Sequence, residues 1–410
     1  MKLLSPHPFW PLQDGVPATF PRLERDLRCD VAILGGGITG ALVAWHLADA
    51  GFDVAVFDAH AVAHASTAGS TSLLQYEIDE PLHRLARTFG ETFATRCYRR
   101  CDAALAATER LVERLHLSCA YERKASLLLA STPAHVAALR REFVARRAAG
   151  LPVEWWSHAT LARRSTLRHS AAILSAHGAQ LDAYRFAHGL LRAAIARGAR
   201  VFEHTAIRRP QIGRRGVELH TARGARVRAR EVVVATGYAA DAWLPRRTTR
   251  LNSTFALASE PMTNFHGWPQ QRCLIWETRY PYVYLRTTAD RRVIMGGYDE
   301  PFRDAAERDR LLPVKTAVLC RRFHQLFPAM PRLEVTTAWA GTFGETPHGL
   351  PLIGQHPRRP RLWFALGYGG NGVTFSVIAA EIIRSALLGQ PDPDAPLFGF
   401  ERKTLADRSR

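Results

Sequence analysis

Apolar residues fall in short runs that alternate with stretches of helical spacing. Cys29-Asp30-Val31-Ala32-Ile33-Leu34 is a run of the kind found in buried parallel strands, and glycines follow it at once. From 38 to 50 the spacing is helical, and Gly51 is placed to cap that helix. Val54-Ala55-Val56-Phe57-Asp58 predicts the next strand. Helical periodicity returns over 80–113 and 133–149, with an apolar strand over 125–130 between them. A helix over 183–197 leads into Gly198-Ala199-Arg200-Val201-Phe202, and 231–235 forms a strand ending in Thr236-Gly237.

Between 254 and 297 the period changes to two, as in Tyr282-Val283-Tyr284-Leu285-Arg286 and Arg292-Val293-Ile294-Met295-Gly296, which predicts an antiparallel sheet. A strand over 362–366, a glycine-rich turn over 367–372 and an apolar helix over 373–388 follow. The prolines and charges after Pro391 predict a tail that wraps the surface. The order of elements implies an α/β protein with a discontinuous Rossmann-type domain (28–80, 170–253 and 335–390). A second, α+β domain on an antiparallel sheet takes 81–169 and 254–334.

With 410 residues, 47% hydrophobic and 22% charged, the chain has the make-up of a globular protein with room for two domains. The formal charge of +18 raises a nucleic-acid reading, but the arginines are scattered and Lys2, Lys124, Lys315 and Lys403 are the lysines. No dense basic stripe results, so no nucleic-acid partner is expected. Cysteines 29, 97, 101, 119, 273 and 320 form no CxxC pair and no cluster with zinc spacing, so free thiols and no metal are expected. The uncharged run 31–48 is interrupted by glycines and His46 and reads as strand, turn and helix rather than a membrane span. Prolines and charges at 1–17 do not match a secretory leader, and a cytoplasmic location is expected.

The sharpest motif is Gly35-x-Gly37-x-x-Gly40 between strand and helix. In a dinucleotide site the first glycine makes the tight turn, the second lets pyrophosphate approach, and the third lets helix and strand pack. Ile38 and Thr39 would then present unpaired N–H groups at the positive end of the helix to phosphate. Asp58, 18 residues beyond Gly40, is placed to accept ribose hydroxyls. These residues do not separate FAD from NAD.

Several segments resemble the D-amino-acid oxidase and sarcosine oxidase-like flavoproteins. They are the glycine turn, Ser66-Thr67-Ala68-Gly69-Ser70-Thr71-Ser72, the Leu181-Asp182 to Val201 helix-strand unit and Ala235-Thr236-Gly237. The last is Gly341 through Thr346-Pro347-His348-Gly349-Leu350-Pro351-Leu352-Ile353-Gly354 to Gly367-Tyr368-Gly369-Gly370-Asn371-Gly372. The resemblance covers most of the chain in order and implies FAD. It implies that Val201 meets the adenine and that Ser66, Thr67, Ser70, Thr71 and Ser72 run beside the flavin. It also implies that Gly237, Gly341, Gly370, Asn371, Gly372, Val373 and Thr374 belong to the cofactor site. A helix beginning behind the second glycine turn would favour negative charge on a reduced flavin. An NAD-linked enzyme would leave that turn without a job.

The implied activity is oxidation of the C–N bond of a small amine or amino acid, with hydride passing to the flavin and water hydrolysing the imine. Oxygen, a quinone or an electron-transfer protein would take the electrons. A flavin-bearing subunit of a larger complex is the alternative. Where relatives carry a flavin-linking cysteine this chain has Gly341, implying non-covalent FAD; where they hold the substrate carboxylate with arginine and lysine it has Gln75 and Thr374. The lysine that assists reaction with oxygen aligns to Met295. His348 and Asn371 are expected to line the site. Tyr282, Tyr284 and Arg286 share one strand face, which suits a carboxylate, whereas Glu77 and Asp79 suit a cationic amine.

Overall fold

The computed structural model describes residues 2–208, 210–244 and 249–402. Its first sheet is built around a parallel core in which Leu27–Leu34 lies between Val54–Phe57 and Arg226–Val234, flanked by Arg200–Phe202 and Arg359–Leu366. Both faces are buried, which explains the unbroken apolar runs: Val31, Ile33, Val54, Val56 and Val233 point to one core, and Ala32, Leu34, Ala55, Phe57, Val232 and Val234 to another. Helices Ile38–Asp49, Ala183–Ala196 and Gly372–Leu387 cover the first of these faces.

The second sheet orders its strands Val335–Glu345, Arg250–Ser259, Val293–Pro301, Val283–Thr287, Leu274–Glu277, Ser126–Leu129, Ala171–Ser175 and Val153–Ser157. It is antiparallel except where Leu274–Glu277 runs parallel to Ser126–Leu129, joined across a long stretch of chain rather than by a hairpin. Its period-two pattern separates two environments. Leu257, Leu285, Val293 and Met295 face Leu319 and Phe323 of helix Ala305–Leu326, while Ala256, Ala258, Ile294 and Trp339 join the core under the first sheet's helices. The second face therefore looks toward the glycine turns.

Some expectations change. Ala171–Ser175 and Val335–Glu345 pair into the second sheet, although the expected boundaries placed 170–253 and 335–390 with the first. Helical periodicity over 80–113 resolves into Leu82–Phe89 and Glu91–Arg114, broken at Gly90, whose φ of +94° a residue with a side chain rarely adopts. The tail does not merely wrap the surface, because Leu397 and Phe398 enter the core and Arg402 is buried.

Candidate active site

At the first glycine turn, Gly35 and Gly40 are required by contact: a Cβ on Gly35 would lie 2.4 Å from the Ala235 oxygen, and one on Gly40 would lie 1.9 Å from the Gly35 oxygen. Asp58 closes the turn, accepting hydrogen bonds from the Gly36 and His60 N–H groups, both at 2.8 Å. Burial raises its pKa, and those two N–H groups pull it back. Val201 lies beside Val56 on the neighbouring strand. Gly37 is half-buried, and a Cβ on it would lie 3.0 Å from Thr67 Oγ1.

The expectation of an unpaired Ile38 N–H is corrected, since Thr67 Oγ1 accepts from it at 2.9 Å. Thr67 belongs to the short helix Ser66–Gly69, so this loop caps the Ile38–Asp49 helix from a distance in sequence. Thr39 Oγ1 meets Ser376 Oγ at 2.8 Å, and Ser376 donates to the Gly372 carbonyl. The N-terminal turns of helices Ile38–Asp49 and Gly372–Leu387 are thus linked, and two positive helix ends converge there.

The 66–72 loop lies across the second sheet. The Gly69 carbonyl accepts from Trp339 Nε1 at 2.9 Å, the Ser70 carbonyl from Trp10 Nε1 at 2.7 Å, and the Ser72 carbonyl from Arg286 Nη1 at 2.8 Å. Arg286 Nη1 also donates to the Leu181 carbonyl at 2.8 Å, and its guanidinium packs over the Trp10 ring. Burial lowers its pKa to about 10. Arg286 shares a face with Tyr282 and Tyr284 as expected, but it ties three segments together instead of standing ready for a carboxylate.

Gln75, Asn371 and Thr374 come together. The Gln75 carbonyl accepts from Thr374 Oγ1 at 3.0 Å and from Asn371 Nδ2 at 3.2 Å, while Asn371 also donates to the Glu77 carbonyl at 2.7 Å. The Gln75 amide donates to Ser126 Oγ at 2.9 Å. Glu77 is buried against Arg146 and Ser175, so it is not available to attract an amine. Asp79 Oδ1 accepts from Tyr282 at 2.8 Å and its Oδ2 from the Gly370 N–H at 2.7 Å, so it faces the second glycine turn. Burial raises the Asp79 pKa.

Two expected positions lie elsewhere. Met295 points into the core on the opposite face of its strand, and His348 organises its own turn through Thr346 and Leu350 while meeting Arg402 of the tail. Val373 and Thr374 sit in the first turn of their helix. Gly341 faces the Leu4 side chain, because the N-terminal segment pairs with strand Val335–Glu345 through Ser5 and Leu3.

The face toward the glycine turns carries residues that the sequence reading did not single out. Strand pairing puts Glu345, Phe343 and Gly341 beside Arg250, Asn252 and Thr254. On the neighbouring strand the register shifts: Ser253 pairs with Glu300 but Phe255 pairs with Gly297, so Tyr298 and Asp299 together oppose Thr254. This bulge, with Tyr298 at φ +55°, turns Asp299 onto the face that simple alternation would give to Tyr298. Tyr298 packs instead against the core on the other side. The sequence did contain a signal, because Gly296-Gly297 followed by Tyr298-Asp299-Glu300 breaks the strand's alternation.

The residue types at this turn fit an anionic dinucleotide. A Cβ on Gly237 or Gly372 would meet open space, and Thr236 Oγ1 is buried with no hydrogen-bond partner among the described residues. Asp58, the paired helix ends and these open glycines are groups of the kind that fit the ribose and phosphates of a dinucleotide.

The DAO family model, FAD dependent oxidoreductase, matches residues 30–386. The chain belongs to the DAO family of FAD-dependent oxidoreductases and is an FAD flavoprotein. It is 26% identical over 386 residues to gamma-glutamylputrescine oxidoreductase of Escherichia coli (strain K12), covering 92% of this chain and 87% of that protein. It is also 26% identical over 368 residues to glycine oxidase of Geobacillus kaustophilus (strain HTA426), covering 87% and 92%. Among solved structures, glycine oxidase from Geobacillus kaustophilus matches with a TM-score of 0.76 at 23% identity, covering 92% of this chain and 99% of that one. L-proline dehydrogenase from P. horikoshii matches with a TM-score of 0.77 at 18% identity, covering 95% and 100%. Similarity along nearly the full length of such enzymes does not favour the subunit alternative. Among the described residues no helix is long and apolar enough to cross a membrane, and no group of three His, Cys, Asp or Glu side chains is placed to hold a metal.

Proposed function

We propose that this flavoenzyme oxidises the C–N bond of a small amine bound between the second sheet and the turn over 367–374. The observation that carries this reading is the half-buried face of Tyr282, Tyr284 and Thr254, which meets the second glycine turn through the Tyr282–Asp79–Gly370 hydrogen bonds. Bound FAD supplies a two-electron acceptor for hydride from the carbon bearing the amine, leaving an imine that water hydrolyses to a carbonyl compound and the free amine.

The chain's own groups position the reactants. We assign cofactor contacts to Gly35, Gly37, Thr39, Asp58, Val201, Thr236, Gly237 and the first turn of the Gly372–Leu387 helix, and non-covalent attachment follows from Gly341 in place of a thiol. The Gln75 carbonyl, held by Thr374 and Asn371, leaves no cation at the position where relatives grip a carboxylate. Tyr282 and Tyr284 remain neutral, burial holding both phenols above their ordinary range. They offer hydroxyls and ring faces without charge. Oxygen, a quinone or an electron-transfer protein then accepts the electrons. The six free thiols suit a reducing cytoplasm.

Anaerobic addition of amines and amino acids to the FAD-loaded protein tests this. Bleaching of the flavin bands by one of them, reversed on admitting an acceptor, is the expected result; bleaching by none would overturn the assignment.

A further inference from the structure

Three carboxylates gather where the second sheet meets the turn. A Cβ on Gly369 would lie 2.4 Å from Asp79 Oδ2 and 3.9 Å from Glu345 Cγ, so both side chains flank that glycine. Asp299 lies on the same face of the sheet, opposite Thr254, with which its side chain interacts, and it is near enough for its charge to reach Glu345, Asp79 and Tyr282. Asp299 is 7% exposed, and its Oδ1 has no hydrogen-bond partner among the described residues. Beside it on the sheet, Asn252 is 3% exposed and its side chain interacts with Glu345.

A buried carboxylate oxygen without a partner is costly to the folded protein unless a ligand satisfies it. Among the described residues, the cations nearby are engaged elsewhere or exposed. Lys315 is held by Glu300 at 2.6 Å and the Tyr298 carbonyl at 2.9 Å, and Arg250 is exposed at the rim beside Glu345. Arg286 is occupied by backbone carbonyls.

The amine that loses hydride must be neutral at its nitrogen, because its lone pair drives the departure of the hydride. Carboxylates placed on that nitrogen would hold it protonated and oppose the reaction. Their favourable partner is a second ammonium on the same substrate, whereas a substrate carboxylate would be repelled.

We propose that Asp299, assisted by Glu345 and Asp79, binds the protonated, non-reacting amino group of a diamine-type substrate. The bulge at Tyr298 and Asp299 is the structural device that makes this selection, since without it a tyrosine would occupy the aspartate's place. The inference rests on the assignment of this face as the amine site.

Three probes of one length separate the outcomes: 1,4-diaminobutane, 1-aminobutane and 4-aminobutanoate. Calorimetry on the dithionite-reduced, FAD-loaded enzyme under anaerobic conditions reads binding without turnover. The diamine should bind at least about tenfold more tightly than the monoamine, with the carboxylate-bearing probe weakest. Asp299→Asn should collapse that preference, and Glu345→Gln should reduce it; thermal melting and FAD content establish that each variant folds. Equal binding of diamine and monoamine, tighter binding of 4-aminobutanoate, or an unchanged preference in folded Asp299→Asn would overturn the inference. Flavin bleaching by monoamines or amino acids with no diamine preference removes this inference and leaves the amine reading standing. Bleaching by no amine removes both.

Discussion

The ring of Tyr284 occupies the space that a side chain on Gly296 would need: a Cβ there would lie 2.6 Å from the Tyr284 hydroxyl and 2.7 Å from two ring carbons. The two residues pair directly across neighbouring strands, so the absence of a side chain at one sets the position of the other. Tyr284 Oη in turn meets Thr254 Oγ1 at 3.3 Å.

Gly296→Ala should therefore push Tyr284 off the face without unfolding the sheet. Overpacking of this kind costs about 1–3 kcal/mol. Expected outcomes are a modest fall in melting temperature, FAD content retained, and kcat/KM reduced by about tenfold or more, as for groups displaced from a reacting geometry. Wild-type kcat/KM in the folded variant would show that the position of Tyr284 does not matter.

Burial pushes the Asp299 carboxyl up to about 7, with Glu345 and Asp79 adding to the rise and Thr254 and Lys315 opposing it. Below that value the group is neutral, and above it the carboxylate attracts a cation. The ratio of diamine to monoamine affinity should therefore grow as pH rises through 7, while both ligands stay protonated at the distal or sole amine in solution. Because the folded value lies above the ordinary 3.8, this group's contribution to stability is complete at low pH and is lost as pH rises through about 7. The melting temperature of the ligand-free protein should fall over that interval less steeply in Asp299→Asn than in the wild type.

Gly341 offers no thiol to the flavin. Acid precipitation of the holoprotein should give a yellow supernatant and a colourless pellet; a pellet that keeps flavin absorbance would refute non-covalent attachment. Asp58→Ala should additionally weaken FAD binding, by about tenfold or more in a fluorescence titration of the apoprotein, since it removes the acceptor for the Gly36 and His60 N–H groups as well as the proposed ribose partner.

Arg146 lies buried between Glu142 at 2.7 Å and Glu77 at 3.2 Å. Burial pushes Glu142 up, but Arg146 and the His83 hydrogen bonds bring its pKa down to about 2. Arg146→Leu should cost about 3–5 kcal/mol in urea denaturation, because it strands two buried carboxyls. The depressed Glu142 contributes stability that is present above its ordinary value and is lost as pH falls toward 2, so Arg146→Leu should lose part of the wild type's acid sensitivity.

The cofactor half of this protein was legible in the sequence because its signals are local. Strand, glycine turn, helix and the acidic end of the next strand occupy a short span, and the residue types there answer to backbone conformation and close packing that neighbours in sequence impose. The face proposed to meet the substrate was not legible in the same way. Tyr282, Tyr284 and Arg286 were read correctly onto one face, yet the carbonyls that occupy Arg286 belong to Ser72 and Leu181, far away in the chain. Thr67 took the Ile38 N–H for the same reason. Period two alone would have aimed Asp299 away from the site. A shift of pairing register between two strands reversed it, and register is set by the partner strand and the core it buries rather than by the residues of the strand itself.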